Sequence, residues 1–231
     1  MYVVNPLVES CPASVIEAEH ACVGISPFNG YFTPERINEL AAWAVRTFPS
    51  CHFFVPDGPS VYTLEALGYS PSKARSKARR QGCYVYNKIH KALAELGVPD
   101  PGALILDSAT LEHNPEYQRQ LAHGEQLYRV DEEFRSACLQ ASHWVLDRKL
   151  PDGQRPSPEQ LAKAVRYFLA ELPLFAGTTG IVGRRASVFV YHQRVAFLER
   201  FYRRELSWKP AAGQGFLVVT PVGELVSATA S

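Results

Sequence analysis

The sequence predicts an α/β fold, a mostly parallel sheet flanked by helices. Short apolar runs alternate with longer stretches of helical periodicity, which is the pattern of βαβ units. Ser26 falls where one apolar run ends and a helix start follows, the position where ligands and nucleophiles sit in an open α/β sheet. The 231 residues suffice for a substantial core, and 46% hydrophobic with 20% charged content excludes a disordered chain.

Each element follows from local residues. Ala21–Ile25 is a short buried strand. Thr33 caps a helix with Pro34 at its first position, and Ile37, Leu40, Ala41, Ala44 and Val45 give that helix an apolar stripe. Cys51–Val55 is the next strand, ended by Pro56-Asp57-Gly58-Pro59. A long helix runs from about Pro71 to Leu96, where Gly97-Val98-Pro99 stops it. Ala103–Leu106 is a third strand. Asn114-Pro115-Glu116 opens a mostly helical stretch to about Leu150, with a break expected near Gly124. Ser157-Pro158-Glu159-Gln160 is a capping box, and its helix is expected to reach about Phe175. Ser187–Tyr191 and Gly215–Thr220 are strands, with a helix near Ala196–Glu205 between them.

Several classes are excluded. The N-terminus has no basic segment followed by a long apolar one, so no signal peptide is read there. No apolar run approaches the roughly 18 residues of a membrane span. The cysteines at 11, 22, 51, 83 and 138 are odd in number and lack a Cys-x-x-Cys pair, which argues against a zinc site or disulfide framework and for a reducing cytoplasm. No metal or cofactor is expected.

Four constellations could carry chemistry. Ser26 is either a nucleophile or a cap for the next helix. Phe28 stands where an α/β-hydrolase elbow has its second glycine, yet Ser26, Asp107 and His192 keep a hydrolase triad's chain order. Tyr167 and Glu171 are four apart and share a helix face, suited to holding an amine or taking a proton unless that face is simply solvated. Tyr191-His192 places two proton-transferring side chains at a strand end. Finally, no acidic residue lies between Ala66 and Ala94, while Lys73, Arg75, Lys77, Arg79, Arg80, Lys88 and Lys91 do. Lys73, Lys77, Arg80, Tyr84, Lys88 and Lys91 fall on one stripe, a footprint for a nucleic-acid backbone. Ala74, Ala78, Val85, Ile89 and Leu96 form the packing stripe.

Taken in order, His20-Ala21-Cys22-Val23-Gly24-Ile25-Ser26 with Asn29 and Tyr31-Phe32, then Pro115-Glu116-Tyr117, Glu133-Phe134 with Ala137-Cys138, Tyr167-Phe168-Leu169-Ala170-Glu171, Pro173-Leu174-Phe175, Ser187 to His192 and Gly213-Gln214 resemble the cyclodipeptide synthase family. The resemblance spans nearly the whole chain. It implies a single Rossmann-like domain over residues 1–231, similar to the catalytic domain of class I tyrosyl- and tryptophanyl-tRNA synthetases, and a monomer. It also implies that two aminoacyl-tRNAs, not DNA, are the partners and that a cyclic dipeptide is released through aminoacyl- and dipeptidyl-Ser26 esters. By the same resemblance Tyr167 and Glu171 hold the substrate's α-ammonium, and Tyr191 transfers a proton at cyclisation. Gly24 leaves room for the aminoacyl group. Asn29 and His192 orient the site, and with Tyr191 they match the family's Asn/Tyr/His branch. A looser match lines the first-residue pocket with Cys22, Phe54, Leu174 and Phe189, the two phenylalanines shortening it in favour of small or medium side chains. On the basic helix, Lys73, Lys77 and Arg80 are the first choices for tRNA contact, with Arg79, Lys88 and Lys91 beside them. A serine hydrolase using Ser26 and His192 and a non-catalytic tRNA-binding protein are the competing readings.

Overall fold

The computed structural model describes residues 2–9 and 18–222; Cys11 lies outside them. Its elements, in chain order, are β1 (Tyr2–Pro6), β2 (His20–Gly24), α1 (Pro34–Thr47), β3 (Ser50–Phe54), α2 (Ser60–Ala66), α3 (Pro71–Glu95), β4 (Ile105–Leu106), α4 (Ser108–Glu112), α5 (Pro115–Val130), α6 (Glu132–Asp147), α7 (Pro158–Ile181), β5 (Ser187–Tyr191), α8 (Ala196–Tyr202) and β6 (Gln214–Pro221).

The six strands form one sheet in the order β1-β6-β5-β2-β3-β4. All neighbours run parallel except β1, which pairs antiparallel with β6 at the edge. Alternating side chains divide the core into two layers. Val23, Phe53, Val188 and Leu217 pack toward α1 and α3. Cys22, Phe54, Phe189 and Phe216 face the other way, into a larger cluster with residues of α5, α6, α7 and α8. From β2 the chain adds β3 and β4 on one side, and β5 and β6 lie on the other. The strand order therefore reverses between β2 and β5, which opens a crevice outside their carboxyl ends.

At the opposite, amino end of the central strands, the buried His20 ties β2, β5 and β3 together. Its Nδ1 meets Ser187 Oγ at 2.8 Å and its Nε2 meets His52 Nδ1 at 2.8 Å. Burial, with His52 and Arg184 nearby, pushes His20 down to about 3, so the pair stays neutral in the core.

The structure corrects several boundaries. The third strand shortens to β4, because Gly102–Leu104 forms a single 3-10 turn. The helix pair breaks at Asp131 rather than Gly124: Asp131 caps α6 by accepting from Phe134 N at 3.0 Å. Gly124 is a packing glycine instead, since a Cβ there would stand 2.8 Å from the Trp208 ring. α7 continues past Phe175 to Ile181, through Pro173 and a kink at Gly177 (φ −166°, ψ 51°). Carbonyls around the kink find partners outside the helix: Phe175 O accepts from Tyr202 OH (2.7 Å), Ala176 O from Ala211 N (2.7 Å) and Gly177 O from Gln120 Nε2 (3.2 Å). β1, α2 and α4 had no sequence expectation.

Candidate active site

The site begins where β2 stops. Ile25 N extends the pairing by one bond to Phe54 O (2.9 Å), and the chain then turns. Phe28 adopts φ 62°, a left-handed conformation that is strained for a bulky residue. Asn29 fixes the turn, its Oδ1 accepting from Tyr31 N at 3.1 Å and its carbonyl from Phe32 N at 3.1 Å. Thr33, not Ser26, caps α1, accepting from Arg36 N at 3.2 Å. The capping role considered for Ser26 is thus taken by another residue.

Parallel pairing of β2 with β5 sets the Ser26 loop beside Tyr191. Ser26 Oγ lies 3.1 Å from Tyr191 OH. Asn29 Nδ2 donates to Tyr191 OH (3.3 Å) and contacts His192 Nε2 (3.1 Å). His192 stacks on Tyr31 at 3.8 Å, and burial with the nearby Arg36 lowers it to about 4. Neutral His192 can therefore accept from Asn29, and its ring nitrogen is directed at that amide rather than at Ser26. Asp107 caps α4, accepting from Thr110 N at 2.9 Å, at the end of a strand two positions from β2. The Ser26–His192–Asp107 triad is therefore not assembled.

α7 brings the remaining pair to the crevice. Tyr167 OH donates to Glu171 Oε1 at 2.9 Å. Burial raises Glu171 to about 8, with the Tyr167 hydrogen bond pulling partly back. Burial likewise raises Tyr191 to about 12, and Ser26 pulls it partly back. Tyr167 is raised well above the usual phenol range by burial and by Glu171. Ser26, Tyr167, Glu171 and Tyr191 border one cavity of about 460 Å³, within the range of small-molecule sites.

The cavity's inner wall is apolar, made by Phe175, Phe189, Phe216 and Leu198. Of the four pocket residues expected from sequence, Phe189 borders it. Cys22, Phe54 and Leu174 lie in the same apolar cluster but are buried behind the wall, Phe54 packing edge-on against Phe189 at 6.3 Å. Gly24 also borders the cavity, but the space it leaves is filled by protein. A Cβ there would meet the Phe189 ring at 2.7 Å and Tyr191 at 3.3 Å, so the glycine lets those rings seat against β2.

The cationic helix α3 divides. Lys73, Arg75, Arg79, Arg80 and Lys91 are exposed, Lys91 lying 3.6 Å from Glu95. Lys88 is half-buried, with its ammonium 5.4 Å from the exposed Tyr84 ring. Lys77 turns from the ridge into the cavity wall, donating to Tyr69 OH at 2.7 Å. Leu96 is only half-buried, and Gly82 and Leu93 complete the packing face. Phe175, Phe216 and Leu198 were missed as lining residues, and so were Trp144, Arg148 and Lys149 near the end of α6. Only the tertiary fold brings these residues to the cavity.

Comparison with known proteins gives a consistent result. The family model for cyclodipeptide synthase matches residues 2–221. A cyclo(L-tyrosyl-L-tyrosyl) synthase of Mycobacterium tuberculosis is 31% identical over 224 residues, covering 96% of this chain and 77% of that protein. The crystal structure of a cyclodipeptide synthase from Bacillus thermoamylovorans superposes with a TM-score of 0.88 at 28% identity, over 96% of both chains. A Mycobacterium tuberculosis structure, described as relating cyclodipeptide synthetases to type I tRNA synthetases, gives a TM-score of 0.83 at 30% identity, over 95% of this chain and 93% of that one.

Proposed function

The chain belongs to the cyclodipeptide synthase family, and on that premise we propose that it joins two aminoacyl groups, each delivered by a tRNA, into a 2,5-diketopiperazine carried on Ser26. One observation carries this reading. The Ser26 hydroxyl shares an apolar-walled cavity with Tyr191 and with a Tyr/Glu pair able to hold an amine, and among the described residues no histidine borders that cavity.

In the first step Ser26 Oγ bonds to the aminoacyl carbonyl carbon, the bond to the ribose oxygen breaks, and the serine proton ends on that oxygen. The α-ammonium of the held residue sits against Glu171 and Tyr167 O, a charge-assisted contact. Glu171 near 8 is close in proton affinity to an ordinary α-amine, at about 7.7–8.0, so it can take the proton when that amine becomes a nucleophile. The freed amine attacks the second aminoacyl ester and releases the second tRNA, leaving a dipeptidyl ester on Ser26. The new terminal amine then attacks the Ser26 ester, which closes the ring and frees the serine.

Tyr191 serves this last step. Its phenol is held near 12, so it passes a proton without resting as phenolate. Asn29 donates into the phenol oxygen, which leaves the O–H to point at Ser26. Tyr191→Phe is expected to acylate Ser26 but to release cyclic product about 10²–10⁴-fold more slowly. Rapid-quench mass spectrometry should find the dipeptidyl ester accumulating; equal loss of both steps would remove the assignment. Asn29, Tyr191 and His192 form one hydrogen-bonded group, which supports placing the chain in the Asn/Tyr/His branch.

Lys73 and Arg80 on α3 contact tRNA phosphates in this reading. If each neutralises one, the double alanine variant should lessen the slope of log(kcat/KM) against log salt by about 1.4–1.8. An unchanged slope would remove them from the RNA contact.

The function is tested by producing the protein in bacteria and analysing the medium for cyclic dipeptides by mass spectrometry. A diketopiperazine is expected. Purified, folded protein that turns aminoacyl-tRNA only into free amino acid would establish the hydrolase reading instead.

A further inference from the structure

The mouth of the cavity carries a feature that the Ser26 chemistry does not use. Three cations border it: Lys77 on α3, and Arg148 and Lys149 just past the end of α6. Each has an aromatic ring or a backbone carbonyl as its partner rather than a carboxylate. The Arg148 guanidinium lies 3.8 Å from the centre of the Trp144 ring. Lys77 Nζ lies 4.3 Å from the Tyr69 ring and donates to its hydroxyl. Lys149 Nζ donates to the Phe28 carbonyl at 3.4 Å. Among the described residues, none of the three is in an ion pair; the neighbouring Asp147 is taken by His143 at 2.9 Å. Trp144 is 37% exposed, whereas Trp208 is 8% exposed.

Position gives these groups a task. Phe28, whose ring lies 5.9 Å from Lys77 Nζ and whose carbonyl accepts from Lys149, is two residues from Ser26. When an aminoacyl carbonyl sits at Ser26 Oγ, the ribose esterified to it must lie just outside, in this mouth. The last nucleotides of the carrier then bring their phosphates and unpaired bases to the same place. Cations without carboxylate partners attract the phosphates, and an exposed indole offers a face on which any base can stack.

We propose that the mouth is a clamp for the single-stranded 3′ end of the acylated RNA, in which Lys77, Arg148 and Lys149 hold terminal phosphates and Trp144 stacks a base. The clamp rests on the reading of Ser26 as acceptor from aminoacyl-tRNA. It differs from the α3 ridge, where Lys73 and Arg80 face solvent away from the cavity wall.

The test uses the full chain and two probes. The first is a short single-stranded oligoribonucleotide ending in 3′-CCA, uncharged with amino acid. It should saturably quench tryptophan fluorescence in the wild-type protein, and the quench should vanish in Trp144→Phe. In Arg148→Ala/Lys149→Ala the salt slope of binding should fall by about 1.4. The second probe pairs aminoacyl-tRNA with an RNA-free amino acid cyanomethyl ester, whose leaving group has no ring to stack, as rival donors to Ser26. Trp144→Ala should lose about 5- to 100-fold more rate from tRNA than from the ester, with Trp144→Phe restoring most of the tRNA rate. Equal loss from both donors, or an oligonucleotide that leaves Trp144 unquenched, overturns the clamp. The quenching needs no acyl transfer, so failure of the Ser26 reading would show separately, as a wild-type protein that neither donor acylates.

Discussion

Ser26→Ala is expected to lower cyclic dipeptide formation by at least about 10³-fold and to abolish the covalent ester, while leaving the fold intact. The size follows from the role. A covalent carrier splits one difficult transfer into easier ones, and no neighbouring group replaces it. Tyr191 is held near 12 and is a poor nucleophile, and the cysteine closest in sequence among the described residues, Cys22, is buried behind the cavity wall. Stability should change by less than about 1 kcal/mol, because the serine is half-buried at an open cavity and loses one hydroxyl. Acid-quenched intact-protein mass spectrometry checks the ester, and chromatography of the medium checks the product. Cyclic dipeptide from Ser26→Ala at more than a few per cent of the wild-type yield would overturn the covalent mechanism.

Glu171→Gln should separate activity from stability. The amide keeps the shape but cannot hold an ammonium by charge or take its proton, so turnover is expected to fall by about 10²-fold or more. Stability moves the other way. The carboxyl titrates near 4.5 in the unfolded chain and near 8 when buried. The folded state therefore binds that proton more tightly, and wild-type stability declines as pH rises from about 4.5 to about 8, then levels. The variant lacks that decline. The cavity admits solvent, so the difference at pH 8 should be about 1–3 kcal/mol in the variant's favour, vanishing near pH 4. Thermal melts of both proteins across this range measure it; a variant less stable than wild type at pH 8 would show that the carboxylate is not penalised by burial.

The parts of the fold that rest on local chemistry were legible from sequence. The capping box at Ser157 and the Thr33-Pro34 start placed α7 and α1, since caps and first-turn prolines act within a few residues. The alternation of strands and helices gave the parallel sheet, and with it the expectation that Ser26 and Tyr191 sit at strand ends. Features set by distant packing were not legible. Gly124 looked like a breaker because nothing local reveals that Trp208 presses on it. α7 looked as if it ended near Phe175 because its proline and kink survive only through partners as remote as Gln120 and Ala211. The edge strand β1 depends on pairing with β6, more than two hundred residues away. In the site, the Tyr167–Glu171 spacing alone favours an exposed pair on a solvated face, and the sheet and α8 decide otherwise by building an apolar wall around it. The pocket positions Cys22, Phe54 and Leu174 were placed in the right cluster but one layer too deep, because sequence does not say how far Phe175 and Phe189 reach.

The Asn29 side chain has a consequence for how long the enzyme keeps working. Its amide nitrogen is the donor that joins Tyr191 to His192, and the residue after it is Gly30, which has no side chain to block attack of its backbone nitrogen on the Asn29 side-chain carbonyl carbon with loss of ammonia. Asparagine followed by glycine is open to ring closure and hydrolysis to aspartate and isoaspartate, and Gly30 is exposed to water with nothing within 4 Å of where a Cβ would lie. That conversion would replace the donor by a carboxylate facing the phenol oxygen and the neutral imidazole. Stored protein should therefore lose cyclisation in step with deamidation of the peptide containing residues 29–30, read by mass spectrometry. The loop that carries Ser26 would then also act as a slow chemical clock on the protein's working life.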